Sequence, residues 1–433
     1  MISHSSKFDI ELERLQWAQD NKHICIIPYI ERQVRSDEIN PCCLYGLHNG
    51  PETRFIDFDN FNSRIKTIKN NIESGQIDKN CYSCHHAESN NQISDRVRQL
   101  LQHTSQEINE FLATKQTKEF TDIITFSNEC NMACRMCNSG TSSLYGLIWE
   151  NKKNTVKHLS DHSEYWKFLQ EDIKNKIHNM QEVYRITIMG GEGTIQKDLF
   201  RLTDWLIKEN LSQKVHLQIS TNGSVFHDEI FDHWCKNFRH LSFAISVDST
   251  NADNFPYVRY PVKFEKISKN LQSFKKFNTC PQEFVFFITP TFYINNIAYL
   301  KDFLDYFEEF DSDTKCLEIR DNTLSSPEYL KLSNLPNYIK KQLVDQITEY
   351  INCYSILERN HMFKTSIDNM LDQLRISEFS IASWRKYLFT SAKWDRLTGT
   401  DIAFHNKKLW DLFNDEDKSL YQQYRSKQND LVH

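Results

Sequence analysis

The chain has 433 residues, of which 39% are hydrophobic and 25% charged, as in an ordinary soluble protein. Aromatic residues make up 13%, which excludes an intrinsically disordered chain, and the 10 glycines and 9 prolines are too few for a collagen-like or Gly-rich sequence. A net charge of −6 argues against nucleic acid as a partner. No apolar run is long enough to cross a membrane, and the N-terminus does not resemble an export signal, so we expect a cytoplasmic protein without membrane contact.

Twelve cysteines are spread unevenly along the chain, and eight of them precede residue 138. The first group lies in residues 1–115, which we expect to form a small Cys-rich module. Its members are Cys25, Cys42, Cys43, Cys81 and Cys84. A long chain without an export signal is not typical of a disulfide scaffold, so clustered thiols indicate ligands of a metal or a cluster. Two histidines follow Cys84, which keeps structural zinc as an alternative.

Between residues 116 and 325, short apolar runs alternate with amphipathic stretches. The runs have the length of strands, and several are apolar on both faces, as parallel strands covered by helices are. They are Thr121–Ser127, Tyr184–Met189, Lys214–Ser220, Leu241–Val247, Glu283–Phe292 and Cys316–Ile319. Helical spacing of apolar residues surrounds Leu202, Ile267 and Leu304. This alternation predicts an α/β fold, either an open (β/α)6 partial TIM barrel or a doubly wound sheet, with ligands at the carboxyl ends of the strands.

The first predicted strand leads directly into a loop with three closely spaced cysteines, Cys130, Cys134 and Cys137. No fourth cysteine or histidine follows in this loop, whereas structural zinc normally has four protein ligands. Three cysteines suit a four-iron cluster in which one iron stays open for another ligand. An open metal position is a mark of catalysis, so this loop is the first candidate site.

The second predicted strand ends in the sequence Gly190-Gly191-Glu192-Gly193. Glycine accepts unusual torsion angles and lets a ligand approach the backbone closely. The carboxylate of Glu192 is able to bind an ammonium group. Because this turn follows the cysteine strand as the next element of the sheet, we expect the two to form one site.

In this order the motifs resemble those of the radical S-adenosylmethionine (SAM) superfamily. Cys130, Cys134 and Cys137 match its Cys-x3-Cys-x2-Cys signature. Gly190, Gly191 and Glu192 match most of its Gly-Gly-Glu-Pro motif, which contacts the amino group of SAM. Five further residues fall where that family contacts the remainder of SAM: Ser220, Asn222, Ser246, Asp248 and Arg259. The chain departs from the family pattern at Met136, where an aromatic residue is usual, and at Gly193, which replaces the proline.

The resemblance implies a radical SAM core at about residues 116–325, with a [4Fe-4S] cluster and SAM as cofactors. It implies reductive cleavage of SAM to a 5′-deoxyadenosyl radical that abstracts hydrogen from a substrate, with no catalytic residue assigned beyond the cluster. An electron donor such as a flavodoxin or ferredoxin is then required. The substrate is either a peptide or protein side chain, or a small sugar-, nucleotide- or amino-acid-derived metabolite. The alternative from a different class is a zinc-stapled interaction protein.

The N-terminal cysteines resemble the SPASM and twitch modules, which hold auxiliary iron–sulfur clusters. The resemblance implies a second cluster held by Cys25, Cys42, Cys81 and Cys84, with Cys43 as the alternative to Cys42. Those modules usually follow the barrel, and Asp37 stands where their pattern has a glycine. Residues 326–433 are expected to be mostly helical.

Several smaller features have ordinary structural interpretations. We expect Asn295 and Asn296 to cap a helix, the lysines at 340 and 341 to lie on a solvated helix face, and Arg96 to form a structural ion pair. The isolated cysteines are expected to be buried small residues, namely Cys235, Cys280, Cys316 and Cys353.

Overall fold

A computed structural model of the chain describes thirteen segments, and the account below is confined to them. They are residues 14–35, 39–42, 44–45, 58–89, 94–101, 103–114, 119–151, 156, 163–179, 183–277, 283–313, 317–324 and 326–426. Cys43, Cys280, Cys316 and Asp37 lie outside the described residues.

The described strands form one large sheet and two small ones. Their bounds are β1 (Glu31–Arg35), β2 (Ile39–Asn40), β3 (Glu119–Thr125), β4 (Ala133–Cys134), β5 (Val183–Ile188), β6 (Val215–Thr221), β7 (His240–Ile245), β8 (Arg259–Tyr260), β9 (Glu283–Ile288), β10 (Thr291–Phe292), β11 (Glu318–Ile319) and β12 (Asn322–Thr323). The large sheet has the order β11-β9-β7-β6-β5-β3-β1-β2, and β4-β8 and β10-β12 form the small sheets.

Helices separate the strands of the large sheet and make up most of the C-terminal region. Their bounds are α1 (described residues 14–20), α2 (Ile27–Ile30), α3 (Phe58–Glu73), α4 (Tyr82–Ser89), α5 (Asp95–Leu100), α6 (Ser105–Thr114), α7 (Ser143–Trp149), α8 (Ser163–Asn179), α9 (Lys197–Lys208), α10 (Asp228–Asn237), α11 (Asn254–Val258), α12 (Phe264–Lys276), α13 (Leu300–Phe310), α14 (Asn337–Tyr350), α15 (Ser355–Arg359), α16 (His361–Ile376), α17 (Ile381–Thr398), α18 (Ile402–His405), α19 (Lys407–Leu412) and α20 (Asp415–Ser426). The prediction of a helical C-terminal region is confirmed over residues 326–426.

The six predicted strands correspond to β3, β5, β6, β7, β9 and β11, which pair in parallel in that order. This is the predicted (β/α)6 partial barrel rather than a doubly wound sheet. The fifth predicted strand was too long, because the strand ends at Ile288 and a separate short strand, β10, begins at Thr291. Pro290 lies between them and has no N–H to donate to a strand ladder.

The sheet continues beyond the predicted strands into the N-terminal region. There β1 pairs in parallel with β3, and β2 pairs antiparallel with β1. The sequence of β1 is Glu-Arg-Gln-Val-Arg, so an apolar-run criterion misses it. Its buried Arg32 is compensated by Asp122 of β3, with two nitrogen–oxygen distances of 2.6 and 2.9 Å. A long-range ion pair therefore stabilises a strand whose own sequence is polar.

The two faces of the barrel sheet differ in polarity. Ile219, Phe243 and Phe286 belong to the face that packs against the helices, and all are buried. The opposite face carries Gln218 and Ser242, which are neighbours in register on β6 and β7. Strands with one apolar and one polar face place a partly accessible polar surface on the concave side of the barrel.

Three smaller predictions can be compared with the structure. Cys235 is buried as expected, but Cys353 is exposed. Lys341 is exposed as expected, whereas Lys340 is buried and donates to the carbonyl and hydroxyl oxygens of Ser377, both at 2.9 Å. These two local partners explain why a lysine is tolerated there. In the part of the chain that is described, no helix is both long and apolar enough to cross a membrane.

Candidate functional site

The loop with the three cysteines begins where β3 ends and is fixed by a short strand of its own. In that loop β4 pairs antiparallel with β8, and Cys134 lies directly opposite Arg259. The backbone N–H of Arg135 donates to the carbonyl oxygen of Val258 at 3.1 Å. The middle cysteine is therefore held by backbone hydrogen bonds to the segment that follows β7.

The three thiols lie close enough to influence one another. A hydrogen bond with Cys137 lowers the pKa of Cys134 below its ordinary value, while the same contact and burial raise the pKa of Cys137. Burial, and after it the nearby Cys134 thiol, raise the pKa of Cys130 to about 12. Iron binding would remove these protons, because the thiolate is the ligand form of cysteine.

In the described residues, no set of three or more His, Cys, Asp or Glu side chains converges on one point that suits a single metal ion. A four-iron cluster makes a different demand, because each thiolate binds its own iron at a separate corner. The donor set of three neighbouring cysteine sulfurs fits such a cluster.

The two glycines at the end of β5 bring this strand against the cysteine loop. Gly190 and Gly191 have φ angles of +81° and +58°, which side chains disfavour. A Cβ atom on Gly191 would lie 2.3 Å from the carbonyl oxygen of Glu129. The N–H groups of Gly191 and Glu192 donate into the loop, to the carbonyl oxygens of Thr141 (3.2 Å) and Glu129 (2.7 Å). Close backbone contact between the two motifs thus explains the glycines.

Glu192 is fully buried, and its carboxylate accepts hydrogen bonds from the chain itself. The donors are the Thr194 N–H (3.1 Å), the Thr194 hydroxyl (2.6 Å), the Thr221 hydroxyl (2.7 Å) and the Asn222 N–H (2.6 Å). The carboxylate therefore joins the carboxyl ends of β5 and β6. Its direct contact with the amino group of SAM stays a prediction.

Replacing Glu192 by Gln is expected to lower the free energy of unfolding by about 2 kcal/mol, because an amide cannot accept from all four donors and leaves buried groups unpaired. Urea unfolding of the full chain measures this loss. The matched control is Glu209→Gln on the exposed end of α9, which should change little. Equal stability of the Glu192 variant and the wild type would contradict the role of this carboxylate in joining the ends of β5 and β6.

One predicted SAM contact, Asn222, lies next to the cysteine loop, and two, Ser220 and Ser246, lie on the concave face. The side-chain amide of Asn222 donates to Asn131 Oδ1 at 2.9 Å and lies 4.0 Å from Cys130 Sγ. Ser220 ends the concave row of β6, and the Ser246 hydroxyl lies 3.3 Å from that of Thr289. These positions are compatible with contacts to a ligand at the carboxyl edge of the sheet, and they stay predictions.

Asp248 and Arg259 form a buried ion pair beside Cys134. Arg259 Nε lies 2.7 Å from Asp248 Oδ2, and Arg259 Nη1 donates to Cys134 Sγ at 3.8 Å. Burial disfavours the charge on Arg259, but the Asp248 carboxylate and then Cys134 raise its pKa above the ordinary value. The guanidinium therefore stays charged against a cysteine sulfur.

The buried hydroxyl of Tyr293, in the same region, has no hydrogen-bond partner within the described ranges. Burial, and after it the nearby Asp248 and Cys134, raise the pKa of the Tyr293 hydroxyl well above its ordinary value. An unpartnered buried hydroxyl near Cys134 fits a site that receives a polar ligand such as SAM.

Asn296 stands at the N-cap position before the short helix Ile297–Tyr299, as predicted, but its side chain makes no capping hydrogen bond. The Asn296 amide donates to the carbonyl oxygens of Asp248 and Thr291, both at 2.8 Å, and Asn295 Oδ1 accepts from the Tyr387 hydroxyl at 2.7 Å. These side chains instead link the ends of β7 and β9 to α17. The local sequence does not distinguish these contacts from a helix cap, because the partners of the two side chains are distant in the chain.

Sequence reasoning also missed a contact between the cysteine loop and the C-terminal helices. The buried Arg135 forms an ion pair with Asp395 of α17 and donates to Thr400 Oγ1 at 3.0 Å. It also donates to the carbonyl oxygen of Tyr257 at 2.7 Å. Partners about 260 residues away leave no local signal in the sequence, although a charged residue between two cysteines is itself conspicuous.

The four predicted auxiliary ligands line one cavity in the N-terminal region. These residues are Cys25, Cys42, Cys81 and Cys84. Burial raises the pKa of Cys25 to about 12, and Cys84 contributes to this shift; burial and then Cys25 raise that of Cys81. Their convergence on one largely apolar cavity fits a buried multi-cysteine centre.

Arg96 supports this cavity from outside the cysteine set. Its guanidinium is buried and pairs with Glu88 at 2.7 and 2.9 Å. It also donates to the carbonyl oxygens of Ile24 and Ala18, at 2.9 and 3.0 Å. The expected structural ion pair is confirmed, and it anchors the segment that ends in Cys25.

Residues 124–307 match the family model described as the radical SAM superfamily. No curated protein matches the chain. Solved structures with a similar fold include native anSMEcpe with bound AdoMet, at 18% identity over 53% of this chain and 61% of that one, with a TM-score of 0.37. SuiB of Streptococcus suis bound to S-adenosylmethionine is 14% identical over 66% of this chain and 60% of that one, with a TM-score of 0.37. The chain therefore covers about three fifths of each of these proteins.

Proposed function

We propose that this chain, which contains a radical SAM domain over residues 124–307, is a radical SAM enzyme. One observation carries the proposal: three neighbouring thiols at the carboxyl edge of the barrel are packed against the glycine turn of the next strand. Radical SAM proteins use a [4Fe-4S] cluster and SAM, and the donor set described above fits both.

Cys130, Cys134 and Cys137 would hold the cluster, and Gly190, Gly191 and the concave-face serines would hold SAM. When bound, the reduced cluster supplies the electron that cleaves the sulfonium C–S bond and yields a 5′-deoxyadenosyl radical.

The role of the chain's own residues is to bind and orient the cofactors and to exclude water from them. The positively charged guanidinium of Arg259 contacts Cys134 Sγ, and the side-chain amide of Asn222 faces Cys130. Glu192 accepts from the Asn222 N–H and so fixes the backbone at the end of β6. All three side chains are buried, so they present fixed dipoles and charges without mobile solvent.

For the substrate we infer a peptide or protein side chain. Strand alternation places Met189 and Val285 on the concave face, where they are 43% and 46% exposed and give an apolar side chain of a peptide a surface to contact. A small metabolite is the second candidate, since the partly exposed polar residues Gln218 and Ser220 on the same face suit its hydrogen-bonding groups.

Anaerobic purification and assay test the proposal. The protein should be brown, contain iron and sulfide, and release deoxyadenosine from SAM after reduction by dithionite. Colourless protein with stoichiometric zinc would instead establish the zinc-stapled alternative.

We further propose that residues 1–115 form an auxiliary iron–sulfur module that also contributes β1 and β2 to the large sheet, that residues 116–325 form the radical SAM core, and that residues 326–433 form a mostly helical region.

Replacing Cys81 by Ala is expected to lower the iron content per chain while SAM cleavage at the other cluster persists, because the four N-terminal cysteines line a separate cavity. Iron analysis and electron paramagnetic resonance (EPR) measure both. Cys353→Ala on the exposed surface is the control. An unchanged iron content in the Cys81 variant would contradict the proposal of a second cluster.

A further inference from the structure

Arg259 and Cys134 lie directly opposite each other in the small sheet formed by β4 and β8. The hydrogen bond from the Arg135 N–H to the carbonyl oxygen of Val258 flanks this pair, which marks it as a non-hydrogen-bonded pair of an antiparallel ladder. Side chains in such a pair lie on the same face of the sheet and approach each other closely. The backbone pairing itself therefore holds the Arg259 side chain beside the sulfur of Cys134.

The guanidinium of Arg259 divides its contacts between that sulfur and a carboxylate. Its Nη1 donates to Cys134 Sγ at 3.8 Å, and its Nε lies 2.7 Å from Asp248 Oδ2. The Arg259 side chain is 6% exposed, and that of Asp248 is fully buried. Buried charges are screened by solvent and salt far less than exposed ones, so both act strongly on their surroundings.

The position of Asp248 is fixed by the strand ends around it. Its Oδ1 accepts from the Thr291 N–H at 2.9 Å, and its carbonyl oxygen accepts from the side-chain amide of Asn296 at 2.8 Å. With Oδ2 on Arg259, each carboxylate oxygen has a partner. The orientation of the ion pair toward the cysteine loop is therefore a fixed feature of the fold.

Arg135, a second buried arginine at the loop, is oriented differently. Its guanidinium lies 3.6 Å from the centroid of the Tyr257 ring and donates to the carbonyl oxygen of the same residue at 2.7 Å. It also pairs with Asp395 of α17. Arg135 thus serves the C-terminal helices, whereas Arg259 presents its charge to a sulfur.

The reduction potential of an iron–sulfur cluster depends on the charge around it and on hydrogen bonds to its sulfurs. A cation and an N–H donor at a ligand sulfur both stabilise the reduced state, which is more negative by one charge, and a nearby carboxylate opposes them. We propose that the Asp248–Arg259 pair sets the potential of the cluster at Cys130, Cys134 and Cys137: Arg259 raises it, and Asp248 limits the rise. This inference rests on the proposed function. It gives Arg259 a role through Cys134 that is independent of any contact with SAM.

A redox titration of the cluster-loaded full chain without SAM tests the proposal. Dithionite supplies one electron per cluster through mediator dyes, which takes the cluster from the 2+ to the 1+ state with no bond made or broken. EPR records the reduced fraction, and the signal of this cluster is the one that changes when SAM is added to a separate wild-type sample.

Arg259→Gln should lower the equilibrium constant for reduction about tenfold, a shift of about 59 mV to more negative potential. Asp248→Asn should raise the constant by a similar factor, because the charge of Arg259 is then uncompensated. Arg259→Lys keeps the charge and should recover most of the wild-type potential. Opposite signs separate an electrostatic role from a structural one, because a local distortion has no reason to shift two neighbouring variants in opposite directions.

Two further variants complete the comparison. The double variant R259Q/D248N leaves neither charge unpaired in the interior, so it can be measured even where a single variant fails to fold. Its potential should be more negative than that of the wild type, because the guanidinium is the partner that contacts the sulfur. Lys266→Gln removes an exposed positive charge on α12 and should keep the wild-type potential.

A wild-type potential in the double variant, or shifts of the same sign in R259Q and D248N, would overturn the proposal. An equal shift in K266Q would also overturn it. An R259Q variant with wild-type potential but weaker binding of SAM would overturn it in favour of a direct contact with SAM. A wild type without a four-iron cluster would refute the proposed function itself, before any variant is compared.

Discussion

Replacing any one of Cys130, Cys134 and Cys137 by Ala is expected to abolish deoxyadenosine formation and the EPR signal of the reduced SAM cluster. In the proposed site each of the three thiolates binds one iron of the cluster, and the fourth iron must stay free to bind SAM. A variant with two cysteines therefore loses a ligand that no neighbouring side chain replaces. Iron and sulfide analysis, EPR after dithionite reduction and chromatography of the SAM products measure the effect.

The matched control for these variants is Cys235→Ala, because Cys235 is buried in α10 within the same domain. It should keep the cluster and the SAM chemistry. Activity that survives all three substitutions in the loop would refute the site assignment. Loss of both activity and fold in the control alone would show only that this helix tolerates no cavity.

The second large effect is expected at Asp395, which holds the C-terminal helices onto the cysteine loop. Its carboxylate accepts from Arg135, from the hydroxyls of Thr400 and Tyr421, and from the Ile402 N–H at 2.8 Å. Replacement by Asn leaves the buried Arg135 guanidinium without a counter-charge, which costs about 3–5 kcal/mol. Urea unfolding of the full chain measures the loss.

Two further variants show whether the loss comes from the unpaired charge. The double variant R135M/D395N removes the cation as well and should recover part of the stability. Asp411→Asn, in an exposed pair with Lys407, is the surface control and should change stability little. The argument would be contradicted if the double variant lost more free energy of unfolding than the two single variants, R135M and D395N, lose together.

The sequence was informative wherever a short-range pattern decides the structure. Apolar runs located the six barrel strands, and the spacing of three cysteines located their loop, because both depend on neighbouring residues. It was uninformative wherever distant residues compensate each other. The polar strand β1 needs Asp122 to neutralise Arg32, and Arg135 needs Asp395.

The role of Glu192 shows the same limit within a recognised motif. The motif predicts a carboxylate at that position, but only the fold reveals that Thr194, Thr221 and Asn222 already bind it. Motif matching identifies which residues gather at a site. Which of them remain available to a ligand is decided by burial and by the donors that surround them.

The parallel pairing of β1 with β3 has a practical consequence for isolating the barrel. A deletion that begins the protein just before β3 would strip away its neighbour and leave five registered positions, from Thr121 to Thr125, with open backbone groups. Such a bare strand is a template for pairing with other chains, and it would also leave Asp122 buried without Arg32. The shortened protein should precipitate, so the minimal catalytic unit has to begin before Glu31.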